Sequence, residues 1–334
     1  MARIQDVAAK AKVSKATVSY VFSPEKSALI SPETRQKVLD AARELGYKPS
    51  FIAKALSKQR AYNVALVLPE RSARNISVHL LHLFHGILRL AEKSEYIVST
   101  FFGVNEHFIA RVEDRRFDGI IVIGLGADRT VLDKLAALKL PLVVLNREYP
   151  ASEHISCVNS DLKGWFLNET ERLLSQNCRN ILLLNKVLYT DAGRVIAEAL
   201  SEAQQKAEKN HAVLECVNIG DGINMQELLA ELFKLRQYDA IIINGGSASA
   251  SVLKSLPALG LIPQKNIQIS GFAFSKVEAE VGMIWQHDLE KLNNMAWQML
   301  EKMFDGKPGK NHLIPLKHYA PITDKHTGES GFDV

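Results

Sequence analysis

Ile4, Val7, Ala8 and Ala11 recur at the i, i+3, i+4, i+7 spacing that places apolar side chains on one helical face. After a polar break, Val18, Val21 and Phe22 begin a second stripe. Ser14 stands at the break, where its hydroxyl can accept a bond from the amide of Ala16 or Thr17 and start a new helix. Helices joined by so short a turn must cross steeply, as in a helix-turn-helix. A third stripe, Val38, Leu39, Ala42 and Leu45, follows the start signal Ser31-Pro32 and ends at Gly46. The three stripes predict a small all-α unit. Residues 50–58 are short, moderately helical and bounded by Pro49 and the polar residues 58–60, so a helix there is marginal in isolation.

From Tyr62 the rhythm changes to short apolar runs alternating with amphipathic stretches. Strands are predicted over 63–68, 96–101, 119–123, 142–145, 180–184, 212–217, 240–243 and 267–269. Leu80, Phe84, Ile87, Leu88 and Ala91 share one helical face, as do Leu228, Leu229, Leu232 and Leu235. Such alternation implies mostly parallel sheets with helices on both faces, and ligands of such sheets sit beyond the carboxyl ends of the strands.

In a helix-turn-helix the second helix enters the DNA major groove by its N-terminal turn. That marks Lys15, Ala16 and Tyr20 as base-edge readers: lysine donates to guanine, alanine packs on a thymine methyl, and tyrosine brings a ring and a hydroxyl. The short hydroxyls of Ser14, Thr17 and Ser19 suit phosphates, which set register without reading sequence. An ordinary amphipathic helix pair is the alternative.

Charge changes that balance. The 334-residue chain has a net charge of +4, but residues 1–60 carry 12 Lys plus Arg against 5 Asp plus Glu, while the remainder carries 29 against 32. The basic excess coincides with the helix pair, where a phosphate backbone would be met and counterions released. Cys157, Cys178 and Cys216 lie far apart without metal-ligand spacing, as expected of free thiols in a reducing compartment. No signal peptide and no run long enough to span a bilayer is evident, so a cytoplasmic protein near the nucleoid and off the membrane is expected.

Asp6-Val7-Ala8 with Val13-Ser14-Lys15-Ala16-Thr17-Val18-Ser19, then Ile30-Ser31-Pro32-Glu33-Thr34-Arg35, then Leu45-Gly46-Tyr47-Lys48-Pro49, resembles in order and spacing the headpiece of the lactose-repressor (LacI/GalR) family of bacterial transcription regulators. Lys12 departs from the turn glycine usual there, at a cost of roughly 1 kcal/mol if left-handed. The resemblance implies an all-α helix-turn-helix headpiece followed by an α/β periplasmic-binding-protein-like core of two doubly wound lobes. It implies a headpiece over 1–47, a hinge over 48–60 and a core over 61–334. The first lobe then takes about 61–160 plus 285–318, and the second about 161–284 plus 319–334.

The family further implies a homodimer, with assembly beyond the dimer left open, on a pseudo-palindromic double-stranded operator. Ser31, Ala53 and Lys54 would add DNA contacts, and Leu56 would wedge a base step in the minor groove. Repression of carbohydrate uptake or catabolism genes would be controlled by a small-molecule effector between the lobes. His79, Asn146, Arg147, Asp161, Thr190 and Arg194 would line that cleft. Gly271-Phe272-Ala273-Phe274 stands where the family commonly has Gly-Phe-Asp-Asp, so an anchoring carboxylate is missing. Arg71, Arg74, Arg147 and Arg194 then make a sugar phosphate an alternative to a neutral sugar.

Other chemistries find less support. Gly124-Leu125-Gly126 lacks the third glycine of a dinucleotide fingerprint, since position 129 is Arg, and Asn244-Gly245-Gly246-Ser247 lacks the order of a nucleophile elbow. His79, His82 and His85 share a helix, but the outer two point about 240° apart, which disfavours a shared metal. No cofactor and no enzyme is expected. Two rivals stay open: a DNA binder whose effector site has decayed or become protein-partnered, and a cytosolic two-lobed α/β enzyme.

Overall fold

A computed structural model describes residues 2–23, 26–48, 55, 58–70, 78–124, 129–186, 191–220, 222–272 and 285–318. The chain divides into two compact units, Met1–Tyr62 and Asn63–Val334.

In the first unit, α1 (Ile4–Ala11), α2 (Lys15–Val21) and α3 (Pro32–Glu44) surround Val7, Ala8, Val18, Val21, Val38, Ala41 and Ala42. Lys12 closes α1 in the left-handed conformation, at φ 52°, while the Val13 amide donates to the Ala8 carbonyl at 3.0 Å. The small headpiece thus tolerates the strain a glycine would avoid. Of the two amides open to Ser14, Thr17 is the one that donates to its hydroxyl, at 3.0 Å. Ser31 caps α3 in the same way through the Thr34 amide, with Pro32 supplying the preset first turn. So few buried side chains make a thin core, and each cap carries a correspondingly large share of its stability.

The second unit runs β1 (Asn63–Leu68), α4 (Val78–Lys93), β2 (Ile97–Phe102), α5 (Glu106–Glu113), β3 (Gly119–Ile123), α6 (Arg129–Ala137), β4 (Leu142–Leu145) and β5 (Ile155–Ser160). It continues through α7 (Leu162–Ser175), β6 (Asn180–Lys186), α8 (Asp191–Lys209), β7 (Val213–Ile219), α9 (Met225–Leu235), β8 (Ala240–Asn244), α10 (Gly246–Ser255) and β9 (Gln268–Gly271). Last among the described elements come β10 (Trp285–Gln286), α11 (Leu289–Phe304), β11 (Asn311–Ile314) and β12 (Lys317–His318).

Two parallel sheets result, ordered β11-β5-β4-β3-β1-β2 and β7-β6-β8-β9. On one face of the first sheet, Leu80, Leu83 and Ile87 of α4 pack with Leu292, Ala296 and Trp297 of α11. Phe108, Val112, Leu132 and Leu135 of α5 and α6 cover the other. The second sheet is covered in the same manner by α7 and α8 on one side and by α9 and α10 on the other. The chain therefore leaves the first lobe after β5, builds the second, and returns with α11 and β11.

The hydrophobic pattern missed β5, β11 and the two-residue strands β10 and β12. β5 reads Ile-Ser-Cys-Val-Asn-Ser, yet Ser156 is fully buried, because its hydroxyl accepts the Lys310 amide at 3.1 Å. A hydrogen bond supplied by a residue far along the chain satisfies that polar atom, and no local period announces it. β11 is a four-residue edge strand with Leu313 largely exposed, so it lacks the apolar run of a central strand.

Candidate nucleic-acid interface and effector cleft

On α2, Val18 and Val21 face the headpiece core, while Lys15, Ala16 and Ser19 are exposed and Thr17 and Tyr20 half-buried. The residues predicted to read bases thus share the outward face, beginning at the helix N-terminus. Lys26 places its ammonium 4.9 Å from the Tyr20 ring centroid, a cation–π contact that steadies the ring. Ser14 and Thr17 are hydrogen-bonded to each other at 2.9 Å, and the Ser31 hydroxyl donates to Thr34. These hydroxyls already serve as caps, so what they can offer a phosphate is reduced to their remaining lone pairs. Ala53, Lys54 and Leu56 lie outside the described residues.

In the core, Asn146 follows β4 in a left-handed conformation, at φ 58°, and its amide nitrogen donates to Nε2 of His79 on α4 at 3.1 Å. His79 lies edge-on to His287, ring centroids 5.0 Å apart, and Phe272 stacks on His287 at 4.9 Å with planes 7° apart. Trp165 leans against Phe272 at 4.7 Å, and Ser160 bonds Nδ1 of His287 at 2.7 Å. The column runs from the second-lobe helix α7 to the first-lobe helix α4. Desolvation, with His82 nearby, lowers the His79 pKa to about 4. Desolvation, and then the neighbouring His79, lowers that of His287 to about 3. Both rings are therefore neutral at pH 7.

Gly124 lets the Arg147 stem pass over the end of β3, because a Cβ there would lie 2.3 Å from the Arg147 Cβ. Close packing thus accounts for this glycine without a dinucleotide. Asp161 is the N-cap of α7, accepting the Gly164 amide at 2.8 Å. Arg194 is exposed on α8, with its guanidinium bonded to Glu148 at 2.5 Å and also to Glu198. Thr190, Ala273, Arg71 and Arg74 lie outside the described residues. Of the predicted cleft set, the structure brings His79 and Asn146 together beside Arg147, and turns Asp161 and Arg194 to contacts within the chain.

Sequence reasoning missed Ser160, Trp165, Phe272 and His287 as a group, since they come from four separate segments and share no spacing. It also missed a row of asparagines at the carboxyl ends of three adjacent strands. Asn244 Nδ2 donates to Asn185 Oδ1 at 2.8 Å, and Asn185 Nδ2 to Asn218 Oδ1 at 3.4 Å, with the three residues in register across β8, β6 and β7. An asparagine at the last or next-to-last position of three strands was the available signal.

Among the described residues, no three His, Cys, Asp or Glu side chains are grouped to hold a metal, and the cysteines are free. No helix among them is long and apolar enough to cross a membrane.

A helix-turn-helix headpiece with one face of its second helix exposed, in one chain with a two-lobed α/β core, is the arrangement of a DNA-binding transcription regulator. Residues 3–50 match the family model for bacterial regulatory proteins of the lacI family. Catabolite control protein A of Staphylococcus epidermidis is 25% identical over 328 residues, covering 94% of this chain and 96% of that one. The ribose operon repressor of Halalkalibacterium halodurans is 26% identical over 278 residues, covering 81% and 80%. Among solved structures, the Lac repressor bound to ONPG in its repressed state superposes with a TM-score of 0.67 at 18% identity, over 96% of this chain and 98% of that one. At that identity the likeness establishes the fold.

Proposed function

We propose that this regulator acts in the cytoplasm as a homodimeric repressor of carbohydrate uptake or catabolism genes, with no enzymatic activity of its own. Lys15, Ala16 and Tyr20 read base edges of a pseudo-palindromic operator, while Ser14, Thr17, Ser19 and Ser31 approach phosphates. Residues 48–60 form the hinge, with Ala53, Lys54 and Leu56 in the minor groove, and residues 61–334 the effector-binding and dimerising core. The two-fold symmetry of a dimer is the physical reason for a palindromic site.

The observation that carries this reading is the outward ridge of Lys15, Ala16 and Ser19 over the buried Val18 and Val21. Relatives named for catabolite control and for the ribose operon, and a neighbour bound to ONPG, support a sugar-type effector at His79, Asn146, Arg147, Asp161, Thr190 and Arg194. Selection of bound sequences from a randomised duplex pool, with and without sugars, tests it. An inverted repeat whose recovery changes with a sugar is expected, and recovery without any sequence preference would overturn it. Leu56→Ala is expected to weaken specific binding more than non-specific binding, measured by competition with unrelated duplex.

A second reading is favoured by one observation: Asp161 and Arg194 are both engaged within the chain. The cleft would then answer to a protein partner or to nothing. A metabolite that raises the melting temperature in a thermal-shift screen would exclude this reading.

A further inference from the structure

The loop after β4 and the beginning of α8 belong to different lobes, and an ion pair joins them. Arg194 Nη2 donates to Glu148 Oε2 at 2.5 Å, and Nη1 of the same guanidinium bonds Glu198 one turn further along α8. Both arms of the planar fork are taken by separate carboxylates. Together the three side chains carry one net negative charge. The pairing with Glu148, and then with Glu198, raises the arginine pKa further, so the guanidinium stays charged.

An anionic ligand entering here has to displace Glu148 from the fork and then face the carboxylate it displaced. An uncharged ligand has no such competitor, and its hydroxyls can donate to the Glu148 carboxylate. His79 and His287 supply no replacement cation at neutral pH. Among the described residues, Arg147 and Lys186 at neighbouring strand ends each have interactions of their own.

We propose that Glu148 is an interlobe clasp and a charge filter: by occupying Arg194 it holds the two lobes together and turns phosphate- and carboxylate-bearing ligands away in favour of uncharged ones. The filter rests on the reading of the cleft as an effector site; the clasp does not. Glu148 is thereby a specificity-determining residue on the first lobe, acting against one ligand class as well as for another.

Both partners are about half exposed, which limits what the pair contributes and makes it sensitive to salt. Glu148→Gln is therefore expected to shift the lobe equilibrium towards the open form by about two- to fivefold. The readout is faster amide hydrogen exchange over residues 146–149 and 193–198 of the full-length protein. Glu171→Gln is the control, because it breaks an ion pair between Glu171 of α7 and Lys206 of α8 that lies wholly within the second lobe. It is expected to leave exchange at those amides unchanged.

For the filter, inorganic phosphate is the probe, compared with chloride at equal ionic strength. The wild type and Glu171→Gln are expected to show no phosphate-specific rise in melting temperature, and Glu148→Gln a measurable one. Equal exchange in the two variants would overturn the clasp, and equal phosphate responses in all three proteins would overturn the filter. If no sugar binds the wild type, the effector reading fails, while the exchange comparison still decides the clasp.

Discussion

The headpiece and the cleft use polar side chains in opposite ways. On α2, Lys15, Ala16 and Ser19 are exposed on a face whose underside, Val18 and Val21, holds the fold together. In the core, His79, Asn146, Asp161 and Arg194 all bond to other parts of the same chain. A surface that reads a long, rigid partner can be built in advance and left open to water. A cleft between two lobes must satisfy its buried polar groups when empty, or leave them unpaired at a cost of about 1–3 kcal/mol each. His79 and Asn146 are accordingly bonded to each other, while Asp161 and Arg194 bond other residues of the chain, and a ligand at these side chains would have to exchange with those partners.

The largest effect is expected from removing residues 1–60: specific DNA binding, followed by fluorescence anisotropy, is lost altogether, while the remaining core keeps one cooperative thermal transition. Persistence of specific binding would place the reading surface elsewhere. Next, Leu83→Ala hollows the fully buried interface between α4 and the first sheet and is expected to cost about 2–5 kcal/mol of core stability in urea unfolding. The headpiece, as a separate compact unit, is expected to keep its own hydrogen-exchange protection.

Acid comes third. His79 and His287 have pKa values lowered from 6.5 to about 4 and about 3, so the unfolded chain binds more protons than the folded one between roughly pH 6.5 and pH 3–4. Stability is therefore fully present above the unfolded value and declines as pH falls through that window. At pH 5 the loss reaches up to about 2 kcal/mol per ring, less if the coupled rings share the effect. His287→Gln, which can still bond Ser160, is expected to flatten the dependence of core stability between pH 7 and pH 5. A slope equal to that of the wild type would contradict the assignment.

The smallest effect belongs to Ser14→Ala, which removes the cap of α2. It is expected to cost about 1 kcal/mol of headpiece stability by thermal denaturation, with the core transition unchanged.

The contrast also explains what could be foreseen. Caps and stripes are local, so Ser14, Ser31, the left-handed Lys12 and the three apolar stripes were legible from residues within one turn of each other. Central strands such as Ala240–Asn244 announce themselves by unbroken apolar runs. β5 did not, because the hydrogen bond that lets Ser156 be buried comes from Lys310, 154 positions away. The resemblance brought His79, Asn146 and Arg194 into view as positions. It could not tell that Arg194 is paired with Glu148, nor that His287 and Phe272 complete the ring column, since those facts exist only where two lobes meet. The alternative of an anionic effector leaned on Arg194 together with Arg71, Arg74 and Arg147, and the double pairing of the Arg194 guanidinium weakens its share of that support.

The N-terminal turn of α2 is expected to read sequence. That role is tested most directly by selecting duplexes from a randomised pool with the full-length wild type and with Lys15→Ala in parallel. An inverted repeat is expected for the wild type and, for the variant, a changed base preference at one symmetric pair of positions with the remaining positions retained. An identical logo from both proteins would contradict it.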